Sequence, residues 1–317
     1  MSSWLGIWDR MTTSEQRWPV RLRDWLETTH GKPRQITQLA GMSLNGVWRV
    51  AFEHGSVIVK AGPSATESRF YSRVAPTLRP AGVPIPDLYL TFDEDEQHWL
   101  VIEDIPTPYP TATVGTWQPD ERIIAILARL HATTRANPPD LPGIEPHHWQ
   151  PESTRAAIDL LPAADASALA PILARLQHES EPLGERWCWI SGDPNPRNWG
   201  LRDDGTPVLY DWEFIAPGVP ATDLAIIVPG LGEPASYARA AAAYLAAWDA
   251  TEQLPWDAAT LTRQIAIAKV ATVIQLLHGH ASGSANVSDE IVTWLVGAVP
   301  AWVRSIYDER TGMSGSS

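Results

Sequence analysis

One cysteine, Cys188, is all that this 317-residue chain contains. That excludes an intrachain disulfide and any cysteine-rich zinc site, and it suits a reducing compartment. Basic residues are scarce: 24 Lys and Arg face 37 Asp and Glu, for a net charge of −13. Neither a nucleic-acid backbone nor an anionic membrane is expected to attract such a chain. Long apolar runs are missing too, because charge or proline breaks each one well short of a membrane span. Residues 1–20 intersperse polar and charged side chains and show no apolar signal-peptide core. A soluble, cytoplasmic protein is the expectation. The remaining balance, 44% hydrophobic and 19% charged residues, is that of a globular chain with room for two lobes around a shared core.

What the chain does have is proline (28) and tryptophan (16). The prolines predict substantial loops. The tryptophans scatter along the whole sequence, so packing explains most of them, and only Trp199 and Trp212 fall near a suspected site. There is no internal repeat. Helical spacing at Leu22, Trp25 and Leu26 gives way, from residue 36 to 100, to short β-like runs. "VWRVAF" (47–52) and "SVIVK" (56–60), separated by "EHG", predict a hairpin. "HWLVIED" (98–104) predicts a further strand after an acidic turn at 93–96. Between them, Ser64 with Glu67 three residues on has the spacing of a capping box at a helix start. Beyond Pro110 the texture is helical. "DERIIAILARLHATT" (120–134) places Ile123, Ile124, Leu127, Leu130 and His131 on one face, and residues 238–307 predict at least two further helices, one of them in "LTRQIAIAKVATVIQLLHGH". One non-helical island interrupts this half, "WCWISGDPNPRNWGLRDDGTPVLYDWEFIAPGVPATDLA" (187–225).

The island carries the chemistry. Asp193 is followed five residues on by Asn198, and Asp211 lies thirteen beyond that. Phosphoryl transfer needs a carboxylate beside the acceptor hydroxyl, with an amide oxygen and a second carboxylate to hold magnesium against the phosphates. These three residues supply those types. "SGDPNPRNWG…VLYDWEF" resembles the signature of the aminoglycoside phosphotransferase and choline kinase family. The resemblance runs from about residue 36 to 230. It implies that Asp193 is the catalytic base and that Asn198 and Asp211 are magnesium ligands, with Asp223 in "PGVPATDLA" holding backbone amides nearby. It further implies that Lys60, ending "SVIVK", meets the ATP phosphates and that Glu67 orients it. "AGMSLNGVWRV" resembles the nucleotide-covering loop, with Gly41, Ser43 and Gly46 giving flexibility and amides, although GxGxxG is absent. "LVIEDI" resembles the lobe linker, where the backbone at Glu103–Ile105 would meet adenine.

The departure from the family pattern is Ser191, where a histidine usually precedes Gly-Asp and braces the loop. It keeps a nucleotide-binding pseudokinase open as the alternative. The pair Asp211 and Glu213, in a tryptophan-rich chain, suggests a glycosidase, but that reading leaves Lys60, Glu67 and Asn198 without a role. Glu213 is equally suited to a substrate amine or to a Lys or Arg. His278 with His280, and His147 with His148, lack further metal ligands in sequence and read as capping or solvated. The expected fold is α+β and bilobal, protein-kinase-like: an N-terminal lobe (1–103) with a small antiparallel sheet, and a mainly helical C-terminal lobe (104–310). Residues 311–317 are expected to be disordered. The expected activity is ATP- and Mg2+-dependent phosphorylation of a small-molecule hydroxyl, with amine-bearing acceptors favoured.

Overall fold

The computed structural model describes residues 18–39, 46–110, 117–248, 253–285 and 287–313. After α1 (Val20–His30) the chain builds a sheet from β1 (Gln35–Gln38), β2 (Gly46–Ala51), β3 (Ser56–Gly62), β4 (Leu88–Glu94) and β5 (Gln97–Glu103). The spatial order is β1-β2-β3-β5-β4, antiparallel throughout. The expected hairpin is β2–β3, with Trp48 opposite Val59 and Gly55 at φ 87° in its turn. Asp95 and Glu96 join β4 to β5, both at positive φ (52° and 59°), the turn geometry whose twist suits a two-residue hairpin loop.

Side-chain alternation divides the sheet's two faces between two cores. Trp48, Val50, Val57, Val59, Trp99 and Val101 face outward, where Leu22 and Leu26 of α1 cover them. Leu100 and Ile102 face inward and join the main core. Lys60 pairs opposite Leu100, so the same alternation turns it toward the molecule's interior.

The helix after β3 is α2 (Thr66–Arg69), continuing through a π-helical turn (Phe70–Val74) into α3 (Ala75–Leu78). The expected capping box does not form here. Ser64 Oγ accepts from the Thr66 amide at 3.3 Å, but Glu67 turns inward to Lys60 instead of back to the helix start. An ion pair with a buried ammonium outcompetes a single exposed cap.

The helical part comprises α4 (Glu121–Ala136), α5 (Pro151–Asp159), α6 (Ala163–Glu179), α7 (Pro220–Ile227), α8 (Pro234–Ala247), α9 (Ala258–Ser282) and α10 (Asp289–Met313). Asp120 caps α4 by accepting from the Arg122 amide at 2.9 Å. The last helix, α10, is assigned as far as Met313. Residues 314–317 lie outside the described set. The island folds as β7 (Cys188–Ile190), β8 (Trp199–Leu201), β9 (Pro207–Leu209) and β10 (Ala216–Gly218). β7 pairs with β10, and β8 pairs with β9 and with the short β6 (Thr107–Pro108).

Candidate active site

Two carboxylates, one seven and one 151 positions further along the chain, meet at Lys60. Its Nζ donates to both oxygens of Glu67, at 2.8 and 2.7 Å, and to Asp211 Oδ1 at 2.8 Å. Burial works against the ammonium, but the Glu67 and Asp211 carboxylates outweigh it and hold its pKa well above the usual lysine value. Glu67 Oε1 also accepts from the Trp212 amide at 3.3 Å. The Trp212 ring is fully buried and stacks on Phe70 of the π-helical turn, centroids 4.1 Å apart. The helix that carries Glu67 is thus locked to the segment that carries Asp211. Asp211 itself stands at φ 69°, a left-handed conformation that Asp tolerates better than most residues but that still stores strain.

The second centre is the turn after β7. Gly192 has φ 82°, and a Cβ there would lie 2.0 Å from the Phe214 carbonyl oxygen, so only glycine fits. Asp193 follows. Its carboxylate accepts from Asn195 Nδ2 on both oxygens, at 2.9 and 2.8 Å, and from Asn198 Nδ2 on Oδ2 at 2.9 Å. Oδ1 carries one amide and Oδ2 two, so Oδ1 is the better placed to accept another proton donor. Burial raises the Asp193 pKa above the usual carboxylate value, opposed by the Asn195 amide. Asn198 also donates to the Asp193 backbone carbonyl at 2.9 Å. With its Nδ2 so engaged, Asn198 Oδ1 is the atom left to bind a cation. The β8–β9 hairpin brings Asn198 back beside the second carboxylate: the Tyr210 amide donates to the Asn198 carbonyl at 3.0 Å, one residue before Asp211.

Asp223 braces this turn, as the sequence suggested. Its oxygens accept from the Ser191 and Gly192 amides, each at 2.9 Å. His131 Nε2 meets Asp223 Oδ2 at 3.1 Å, and His131 Nδ1 meets the Tyr244 hydroxyl at 3.0 Å. Asp223 and His131 are both fully buried. Ser191 is held through its backbone, and its buried hydroxyl makes no hydrogen bond to a described residue. This loop is braced by Asp223 of α7, which is in turn held by His131 of α4. His131 reads in sequence as one position on an apolar helix face; no local signal announces a partner 92 residues away. Asn195 likewise carries no signal in sequence for its bonds to Asp193.

At the lobe linker, the Glu103 amide donates to the Asp87 carbonyl at 2.8 Å. The Glu103 carboxylate takes a bidentate pair from Arg202, at 3.0 and 2.7 Å, and Ile105 is buried. The Glu103 amide is thus already engaged within the sheet. Gly46 opens β2, where a Cβ would strike the Trp48 ring at 2.0 Å. Gly41 and Ser43 lie outside the described residues. Trp199 and Trp212 are packing residues, 1% and 0% exposed, and Trp199 Nε1 supports the turn after Asp193 by donating to the Pro194 carbonyl at 3.0 Å. Glu213 lines a small depression with Lys60, Glu67, Ser68 and His98. His147 meets the Phe214 carbonyl at 2.8 Å, and His278 and His280 occupy the end of α9. Among the described residues no group of three or more His, Cys, Asp or Glu is disposed to hold a metal.

A lysine–glutamate pair under an antiparallel sheet, facing a helical lobe that presents Asp, Asn and Asp on a turn and hairpin, defines a phosphotransferase of the protein-kinase-like fold. Residues 35–257 match the phosphotransferase enzyme family, and the chain belongs to it. No curated protein sequence matches the chain. Among solved structures, an amicoumacin kinase in complex with AMP-PNP, Ca2+ and Ami is similar at 15% identity and TM-score 0.59, over 91% of this chain and 92% of that one. A spectinomycin phosphotransferase in complex with ADP and spectinomycin aligns at 13% identity and TM-score 0.58, over 93% and 95%. The choline kinase LicA from Streptococcus pneumoniae aligns at 19% identity and TM-score 0.61, over 90% and 98%. At these identities the likeness establishes the fold, a small antiparallel-sheet lobe and a mainly helical one.

Proposed function

We propose that this phosphotransferase moves the γ-phosphoryl group of ATP, with magnesium, onto a hydroxyl of a small molecule. The observation that carries the reading is the meeting of Lys60 and Glu67 with Asp211, whose segment pairs with Asn198, itself bonded to the Asp193 carboxylate. Asp193 would orient the acceptor hydroxyl through Oδ1 and accept its proton. Lys60, released from Asp211 on nucleotide binding, would meet the phosphates while Glu67 keeps its ammonium in place. Asn198 Oδ1 and the Asp211 carboxylate are hard oxygens suited to magnesium, which takes few protein ligands and completes its shell with phosphates and water. Magnesium there would supply neutralisation of charge on the phosphates.

An amine-bearing alcohol, such as an amino sugar or aminoglycoside, is the favoured acceptor. The support is the chain's net charge of −13, with Glu213 lining the depression beside Lys60 and solved kinases of this fold carrying spectinomycin or named for choline. The test is ADP release with ATP and magnesium over a panel of amino sugars, aminoglycosides and small alcohols, with Asp193→Asn as control. Acceptor-dependent ADP release that this substitution abolishes is the expected result. Failure of ATP and magnesium to raise the melting temperature would overturn the reading. A pseudokinase, which Ser191 keeps in play, would bind the nucleotide and release no ADP with any acceptor.

A further inference from the structure

Lys269 is a buried cation for which phosphoryl transfer has no direct use. It sits within α9, 6% exposed. Its Nζ donates to the carbonyls of Val228 at 2.6 Å and Ala225 at 3.1 Å, and among the described residues it forms no ion pair. Burying an ammonium without a carboxylate is unfavourable, and here burial holds its pKa down at about 8. A methionine would fill the same space without that penalty, so the role of the charge lies with its two acceptors.

Both acceptors belong to the C-terminal end of α7. That helix has eight residues, and its cap residue Val228 is extended (φ −72°, ψ 118°) with no capping bond of its own. A helix so short is not stable alone, and its last carbonyls lack intrahelical partners. Its first turn carries Asp223, which holds the Ser191 and Gly192 amides at 2.9 Å. One short helix is therefore pinned at its end by Lys269, and from its first turn it pins the loop that presents Asp193.

We propose that Lys269 is a positioning residue, fixing α7 and, through Asp223, the turn that bears Asp193. Its effect on turnover rests on the kinase reading above; its effect on the turn does not. The test is amide hydrogen exchange at Ser191 and Gly192 in the wild type and in Lys269→Met, Lys269→Arg and Val299→Ala. The last truncates a buried residue of α10 and controls for general loss of stability. Protection at the two amides should fall at least ~10-fold in Lys269→Met, for a turn that opens locally. It should return in Lys269→Arg and hold in Val299→Ala. Wild-type protection in Lys269→Met would overturn the proposal, as would an equal loss in Val299→Ala. Should Lys269→Met not fold, Lys269→Gln, which keeps an amide donor but no charge, is read against the same two outcomes. If no acceptor supports turnover in the wild type, the kinase reading fails while exchange still decides this one. Where turnover is measurable, Lys269→Met should lower kcat and leave the KM for ATP unchanged.

Discussion

Asn195 shows how much of a site can rest on a residue that no motif names. It gives Nδ2 to both oxygens of Asp193 and accepts the Arg197 amide on Oδ1 at 2.9 Å, so it caps the short turn and aims the carboxylate at once. Asn195→Ala should lower kcat by roughly 10- to 100-fold, a fraction of what general-base catalysis contributes, with ATP affinity unchanged by calorimetry. Asn195→Asp keeps an oxygen for the cap but loses the amide donor. It should therefore lose as much activity while melting closer to the wild type. Gly192 is a harder constraint. Gly192→Ala adds a left-handed strain of about 1–2 kcal/mol to a collision with the Phe214 carbonyl, so both the melting temperature and ADP release should drop. At this scale the sequence was partly legible. Asp193, Asn198 and Asp211 stand out by residue type within one island, and Lys60 and Glu67 through the resemblance to the family; the structure brings Lys60, Glu67 and Asp211 into contact. Asn195 sat inside the same motif, but its significance depends on a side-chain direction that spacing does not encode.

Elements explain the larger omissions. β2, β3, β5 and α4 follow from alternation and 3.6-residue periodicity, which are local properties. The brace from α4 through His131 to Asp223, and the pin from α9 to α7, are pairings between helices distant in sequence, and buried polar residues look like gaps in an apolar pattern until their partners are known. Lys269 makes the second pairing measurable. Its folded pKa of about 8 lies below the usual lysine value of 10.5, so the unfolded chain binds more protons than the folded one between these limits. Stability should therefore rise with pH across that window and be lowest, as far as this residue is concerned, below pH 8. Urea midpoints taken from pH 7 to 10.5 should show the rise in the wild type and a smaller one in Lys269→Met. Equal slopes in the two proteins would contradict the assignment.

Across the whole molecule, the two lobes meet at a linker held by charge. Arg202, on the β8–β9 hairpin, grips Glu103 at the end of β5 and reaches the Ile85 carbonyl at 3.3 Å. Asp104, next in the chain, has a side chain only 2% exposed and takes a bidentate pair from Arg49, at 2.7 and 3.0 Å. Because Arg202 is a third exposed, its pair is screened. Arg202→Gln should cost about 1 kcal/mol in unfolding experiments and raise the KM for ATP a few-fold at low salt. High salt should narrow the difference from the wild type. The separation into two cores has a consequence for how this protein can be watched. Trp18, Trp48 and Trp99 lie within 5.6–6.4 Å of one another in the outer core, close enough for their electronic transitions to couple. In the helical lobe, Trp187 lies 5.6 Å from Trp248 and 4.8 Å from Trp256. Each lobe thus carries its own chromophore cluster. Circular dichroism in the indole bands, followed through unfolding, would tell whether the lobes let go together or in turn, without a label on either.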